Sequence, residues 1–329
     1  MMWTSFLSCD WGSTAFRIKL VSLADNTVIE SIETDQGVVA IANKQIPDGR
    51  DRQALLLDVL IQAISELERN IGDRLSDVPI IVSGMASSSF GLVELPYVRF
   101  PFSIHPNSLI YSKYVNERLQ NPILLVSGMA NDYDVARGEE TQLLGVHRAL
   151  GIEDYVCLMP GTHAKHIKIR NGKVIDFRTF MTGELFALMG QHSVLREVVT
   201  SASHYPFEEH EHAGRAEFLQ GIDDSDNYPL MHGLFHVRTN RLFGRMDAVG
   251  CSAYLSGVLI GNEIRELMQW QGDDYAPWVL SGRDSLVARY RTATDRIVRG
   301  NFQSRQVIEV ADCTVQGHCY IYDELIANQ

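Results

Sequence analysis

Two short stretches of this chain have the residue types and order that grip phosphate. Ser5 to Asp10 is an apolar run that closes on Asp10-Trp11-Gly12-Ser13-Thr14, and Tyr155 to Met159 is a second that closes on Pro160-Gly161-Thr162. A glycine turn between two strands aims several backbone N–H groups one way and has no Cβ to crowd them, so it fits phosphate oxygens. Asp10, at the end of the strand before such a turn, is placed to hold a hydrated Mg2+, which takes one or two carboxylates plus water and phosphate oxygens. Two facing turns would hold a nucleoside triphosphate from both sides, Gly12, Ser13 and Thr14 forming one clamp and Gly161 and Thr162 the other. Lys165 is a charge partner for the second clamp, although its place on an alternating strand leaves a solvent-facing side chain equally open. Neither of the common alternatives, GxxxxGK[ST] and GxGxxG, occurs. Taken alone, Asp-x-Gly-Ser-Thr is equally the mark of an ordinary hairpin.

The elements that must position these turns read as two similar halves. The first opens with three strands: Ser5 to Asp10, Ala15 to Leu23, and Thr27 to Thr34 after the Asp25-Asn26 turn. A long amphipathic helix follows from Asp51, with Leu56, Val59, Leu60, Ala63, Ile64 and Leu67 on one stripe and a stop at Asn70 to Gly72. Ile80 to Ala86 and Leu124 to Ala130 echo each other as apolar runs closed by Ser-Gly, the pattern of buried parallel strands ending in tight turns. Residues 135 to 150 read as helical. The opening pattern then restarts: Tyr155 to Met159, a strand from His163 to Arg170, the Asn171-Gly172 hairpin turn, and a strand from Lys173 to Met181. Helices are expected at Gly183 to Val199, around Arg215 to Gly221, at Cys251 to Trp270 and at Ser285 to Arg299. Strands at Trp278 to Leu280 and Val307 to Val310 complete the second half, and His204 to Ala213 and Gly221 to Tyr228 read as polar linkers. The domains expected are 1–150 and 151–329, both α/β.

Composition narrows the partners. The 329 residues are 45% apolar and 21% charged, enough apolar material for two cores. Lys plus Arg number 29 against 41 Asp plus Glu, a net charge of −12, so a nucleic-acid or anionic-membrane footprint is not expected, whereas a small anion in a local basic pocket is. No apolar run approaches the roughly 18 to 20 residues a membrane helix needs, and the N-terminus does not read as a signal peptide. Five scattered cysteines without a CxxC point to reduced thiols in a cytoplasmic protein.

Five blocks carry a more specific signal. In order they are Asp10 to Thr14, Arg137-Gly138-Glu139-Glu140-Thr141-Gln142-Leu143, Met159 to Lys165, Asp176-Phe177-Arg178-Thr179-Phe180-Met181-Thr182-Gly183-Glu184-Leu185, and Ser256 to Gly261. Together they resemble the 2-dehydro-3-deoxygalactonokinases, sugar-acid kinases of the sugar kinase, heat-shock ATPase and actin superfamily. The resemblance runs from about residue 5 to about residue 300. It implies a two-lobed actin-like ATPase fold, a duplicated ribonuclease H-like architecture with ATP in the cleft, and transfer of the γ-phosphoryl group to the 6-hydroxyl of 2-dehydro-3-deoxy-D-galactonate.

The resemblance also assigns roles. The general base of the superfamily lies after a strand and near a helix start in the first lobe, where Asp134 is best placed, with Asp132 and Glu139 as rivals and a plain helix cap as the alternative for Asp134. The substrate carboxylate calls for a bidentate cation, for which Arg137 and Arg178 are the candidates; pairing with Glu139, Glu140 or Glu184 is the other use for them. Gly282 stands where the superfamily holds adenosine. Arg283-Asp284 after it, and His166 where the family commonly has Trp, depart from the pattern, as do the last thirty residues.

Three functions remain open on the sequence: this kinase, a kinase for a related acid such as 2-dehydro-3-deoxygluconate or for a hexose, and a non-catalytic actin-like nucleotide binder. A homodimer is compatible with any of them. His210-Glu211-His212, and Cys313 and Cys319 with His318, read as ordinary residues rather than metal sites.

Overall fold

The computed structural model describes residues 3–42, 51–200, 214–272, 274–300, 306–311 and 313–327. The chain forms two compact units, Met1–Glu153 with Arg170–Asp176 and Asp312–Gln329, and Asp154–Ile169 with Phe177–Ala311. The chain thus returns to its first unit at the end. Helix Cys313–Leu325 packs along helix Glu139–Leu150, burying Val315, Cys319, Ile321 and Tyr322. Phe6 stacks on Tyr322 at 5.4 Å, and Ser8 Oγ meets the buried His318 Nδ1 at 2.7 Å. Burial holds His318 neutral, its pKa lowered to about 3, so it acts here as a packed polar partner.

In the first unit the strand order is Val28–Thr34, Phe16–Ser22, Ser5–Trp11, Ile80–Gly84, Leu119–Val126, Tyr111–Asn116. The first three form the expected antiparallel meander. Ile80–Gly84 then lies parallel to Ser5–Trp11, pairing Asp10 with Ser83 and Trp11 with Gly84, and Leu119–Val126 lies parallel beyond it. All of Ile80–Gly84 is buried, which is why it reads as a continuous apolar run rather than an alternating one. Helix Arg52–Ile71 covers this sheet with Leu56, Leu60, Ile64 and Leu67 and ends at Gly72, whose φ of 71° forms a left-handed cap.

The second unit repeats the scheme. Tyr155–Met159 is antiparallel to Ala164–Arg170 and parallel to Trp278–Ser281, with Val307–Val310 parallel on the outside. Strand Lys173–Phe180 follows Ala164–Arg170 in the sheet order; its first residues, Lys173 and Val174, belong to the first unit and pair there with Phe102–Ser103. Helix Ala248–Gln271 is the spine of this unit. It packs against helix Arg215–Asn227 so closely that a Cβ on Gly257 would lie 2.1 Å from the carbonyl oxygen of Phe218.

Two sequence expectations differ from the structure. Gly221 to Tyr228 is no linker, because helix Arg215–Asn227 runs through most of it, with Phe218, Ile222 and Ser225 buried and Asp224 accepting from the buried Tyr254 Oη at 2.8 Å. Residues 135 to 150 are not one helix: Val135–Ala136 is a short strand, and Gly138, at φ 104°, interrupts the chain before the helix begins at Glu139. Helix Leu230–Leu242 has no counterpart among the sequence expectations. His204 to Ala213, with His210-Glu211-His212, lies outside the described residues.

Candidate active site

In the first unit the Gly12 turn is fixed from behind. Gly12 N–H bonds to Ala15 O at 2.9 Å, and the carbonyls of Gly12, Ser13 and Thr14 accept from Val38, Val39 and Gly37 at 3.0, 3.1 and 3.2 Å. The carbonyls therefore face the short helix Val38–Ala42. The N–H groups of Ser13 and Thr14, both exposed residues, have no hydrogen-bond partner among the described residues. Gly37 permits this approach, since a Cβ there would sit 2.3 Å from Ser13 O. Asp10 Oδ2 takes a bond from Arg17 Nη1 at 3.0 Å, and Arg17 Nε bonds to Glu33 at 2.8 Å. Burial raises the Asp10 pKa while Arg17 opposes it. Among the described residues no group of three or more His, Cys, Asp and Glu side chains converges to cage a metal. One hard carboxylate beside exposed amides fits a Mg2+ that completes its shell with water and phosphate oxygens.

The second unit builds its turn the same way. Gly183 lies against it, a Cβ there meeting Gly161 O at 2.4 Å, and Glu184 N–H donates to Thr162 O at 3.0 Å. The N–H groups of Gly161, Thr162 and His163 have no partner among the described residues. Gly37 and Gly183 each stand three residues beyond the third strand of their meander, at the start of the next helix. Gly37 carries no signal in the sequence, where a glycine after a strand reads only as a turn, and Gly183 enters only as part of the Asp176 to Leu185 block. Lys165 is 5% exposed, so the solvent-facing alternative does not hold; its Nζ donates to His163 O at 2.9 Å. Gly282 faces the same turn, where a Cβ on it would lie 3.5 Å from Pro160, an ordinary contact. A cavity of about 70 Å³ beside it is lined by Gly161, Gly183, Phe186, Leu259, Leu286 and Tyr290.

The acidic candidates differ in setting. Asp134 lies in a loop closed by Asn131, whose Oδ1 accepts from the backbone of Tyr133 and Asp134 at 2.8 and 2.6 Å. Its carboxylate has no partner among the described residues, and it does not cap the helix, for which Gly138 is the capping residue. Asp132 is exposed and Glu139 is half-buried in the first helical turn. Glu140 is buried; it accepts from Gly138 N–H at 2.8 Å and Thr141 Oγ1 at 3.1 Å, and burial, reinforced by Glu139, pushes its pKa up to about 8.

The two arginines also separate. Arg137 pairs with neither Glu139 nor Glu140: it donates to Ser87 Oγ at 2.9 Å and Leu95 O at 2.8 Å and lies over Tyr97 at 4.1 Å. Arg178 is exposed, rests 4.9 Å from the centre of Trp270, and has no acidic partner among the described residues. Glu184 pairs instead with His163 at 2.6 Å. Asp284 opens helix Asp284–Gly300, where a carboxylate meets the positive end of the helix, a local reason for the unusual Arg283-Asp284.

A family model described as 2-keto-3-deoxy-galactonokinase matches residues 10–321. The chain belongs to that family. Among curated relatives, a Rhizobium meliloti (strain 1021) protein named probable 2-dehydro-3-deoxygalactonokinase is 29% identical over 88% of this chain and 89% of its own length. The Escherichia coli (strain K12) 2-dehydro-3-deoxygalactonokinase is 29% identical over 89% of this chain and 90% of its own. The crystal structure of a candidate 2-dehydro-3-deoxygalactonokinase from Sinorhizobium meliloti superposes with a TM-score of 0.75 at 27% identity, covering 98% of this chain and 99% of that one. A dehydratase activator from Clostridium difficile, solved with ADPNP, shares the fold at a TM-score of 0.53 and 14% identity, covering 99% and 97%. The galactonokinase-family chain thus has the duplicated ribonuclease H-like fold of the actin-like ATPases, and it is a kinase. Among its described residues no helix is long and apolar enough to cross a membrane.

Proposed function

We propose that this kinase transfers the γ-phosphoryl group of ATP to the 6-hydroxyl of 2-dehydro-3-deoxy-D-galactonate in galactonate degradation. The observation that carries the nucleotide half of this reading is the pair of turns, each held through its carbonyl side, with the N–H groups of Ser13 and Thr14 and of Gly161, Thr162 and His163 unclaimed among the described residues. Phosphoryl transfer asks mainly for positioning and charge neutralisation, and donors already oriented in the free protein supply both. Asp10 would hold Mg2+, which when bound neutralises phosphate charge. The amides of Ser13 and Thr14 and those of Gly161 and Thr162 would hold the phosphates, with Lys165 adding charge beneath its turn and Gly282 flanking the nucleoside.

Asp134 would accept the proton of the sugar hydroxyl as its oxygen bonds to phosphorus and the bond from phosphorus to the ADP oxygen breaks. Its carboxylate, without a partner among the described residues, supports it in that role. Arg178, with no acidic partner among the described residues, is the better match for the substrate carboxylate; Arg137 already spends two nitrogens on the protein. The free thiols fit a cytoplasmic location, and a homodimer is the assembly to be tested by sedimentation.

A coupled ADP-release assay over keto-deoxy acids tests the activity. Turnover with the galactonate-derived acid, exceeding that with the gluconate-derived epimer, is expected. Faster turnover of the epimer or of a hexose would reassign the substrate, and ADP binding without turnover on any acid would make the chain a nucleotide binder.

A further inference from the structure

One buried polar cluster in the second unit has no role in the reading above. Glu263, on helix Ala248–Gln271, is 3% exposed. Its Oε1 is 2.7 Å from Nε2 of the wholly buried His166, and its Oε2 takes bonds from Tyr290 Oη at 2.7 Å and from Thr182 Oγ1. Sinking a carboxylate into the protein interior is costly unless donors compensate, and here three do.

These donors are not scattered. Thr182 opens the helix whose next two residues, Gly183 and Glu184, press on the Gly161-Thr162 turn. Tyr290 stands on helix Asp284–Gly300, which follows Gly282, and lines the cavity beside Gly161. Glu263 therefore ties together, from one carboxylate, the two elements that flank the turn. His166 anchors that carboxylate to the strand leaving the turn.

We infer that Glu263 is a positioning residue for nucleotide: through Thr182 and Tyr290 it holds the Gly161-Thr162 turn in the form whose amides receive phosphate. The inference rests on the nucleotide reading of that turn. Because Glu263 acts on the turn and not on the sugar acid, its loss affects nucleotide affinity selectively.

The test compares Thr182→Val, which removes one hydroxyl at nearly constant volume, with Thr182→Ser and Tyr290→Phe. ADP affinity is measured by calorimetry, KM for ATP and for the sugar acid by coupled assay, and folding by thermal melts. Thr182→Val and Tyr290→Phe are expected to weaken ADP binding and raise KM for ATP roughly tenfold, the cost of an unmade buried hydrogen bond. KM for the sugar acid stays within about twofold, and Thr182→Ser restores nucleotide affinity. Folded Thr182→Val and Tyr290→Phe proteins that bind ADP as the wild type does would overturn the inference. So would loss of the folded state in both, since the cluster would then hold the core and not the turn. A wild-type protein that binds no ADP would sink the nucleotide reading itself, a result the variants cannot mimic.

Discussion

Gly183 stands so close to Gly161 that a Cβ built on it would lie 2.4 Å from the Gly161 carbonyl oxygen. Gly37 has the same relation to Ser13, at 2.3 Å, in the other unit. Real side chains do not tolerate such distances, and the blocking atoms are backbone, so a methyl group must displace the turn. Gly37→Ala and Gly183→Ala should each raise KM for ATP by about tenfold or more, with little change in KM for the sugar acid. Steady-state kinetics on folded variants checks this, and an unaltered KM for ATP in both would mean that the turns do not bind phosphate.

Arg178 and Arg137 should part company on substitution. Removing a bidentate cation from a carboxylate costs roughly 2 kcal/mol or more, so Arg178→Ala should raise KM for the sugar acid at least about thirtyfold while sparing ATP. Arg178→Lys should recover only part of it, because a point charge does not reproduce the planar fork. Arg137→Ala should instead lower the melting temperature, having lost its bonds to Ser87 and Leu95 and its contact with Tyr97. Equal effects of the two alanines on KM for the acid would erase the distinction.

How much of this was legible follows from where each signal resides. Both meanders could be read because apolar runs and the Asn171-Gly172 turn are local, and helix Arg52–Ile71 because one face repeats with a helical period. Gly221 to Tyr228 reads as a linker because Asp223-Asp224-Ser225-Asp226-Asn227 has a linker's composition; only Phe218, Ile222 and Ser225, at helical spacing, betray the buried side. Helix Leu230–Leu242 hides for the opposite reason, since Met231 and Phe235 are exposed and spoil the stripe. The bracing of Arg137 depends on partners 50 and 42 positions away, and the meaning of Gly37 and Gly183 on what packs against them. Such facts belong to tertiary structure, and no local pattern carries them.

Glu140 makes stability depend on pH in a stated window. Its pKa is raised from 4.5 to about 8 in the folded protein, so between those values the native state holds a proton that the unfolded chain has released. Stability is therefore fully present below about 4.5 and falls as pH rises toward 8, where the buried carboxyl must charge. Glu140→Gln keeps a carbonyl oxygen for the Gly138 N–H and cannot ionise. Denaturant titrations at pH 5 and pH 8.5 should show the wild type losing up to a few kcal/mol relative to this variant across the window. Parallel pH profiles for the two proteins would show that Glu140 is ionised in both states.

Asp134 offers the sharpest separation of chemistry from binding. A sugar hydroxyl is a poor nucleophile until its proton has somewhere to go, and a positioned base contributes about a hundredfold to ten-thousandfold. The loop around Asp134 is set by Asn131 through backbone bonds to residues 133 and 134, so Asp134→Asn leaves that scaffold untouched. The variant should fold as the wild type, bind ADP and the sugar acid with affinities within about twofold, and lose at least a hundredfold in kcat. Asp132→Asn, on the exposed side of the same loop, should retain most of its turnover. If instead Glu139→Gln shows the large kcat loss and Asp134→Asn does not, the proton goes to the first turn of helix Glu139–Leu150, and the base must be reassigned there.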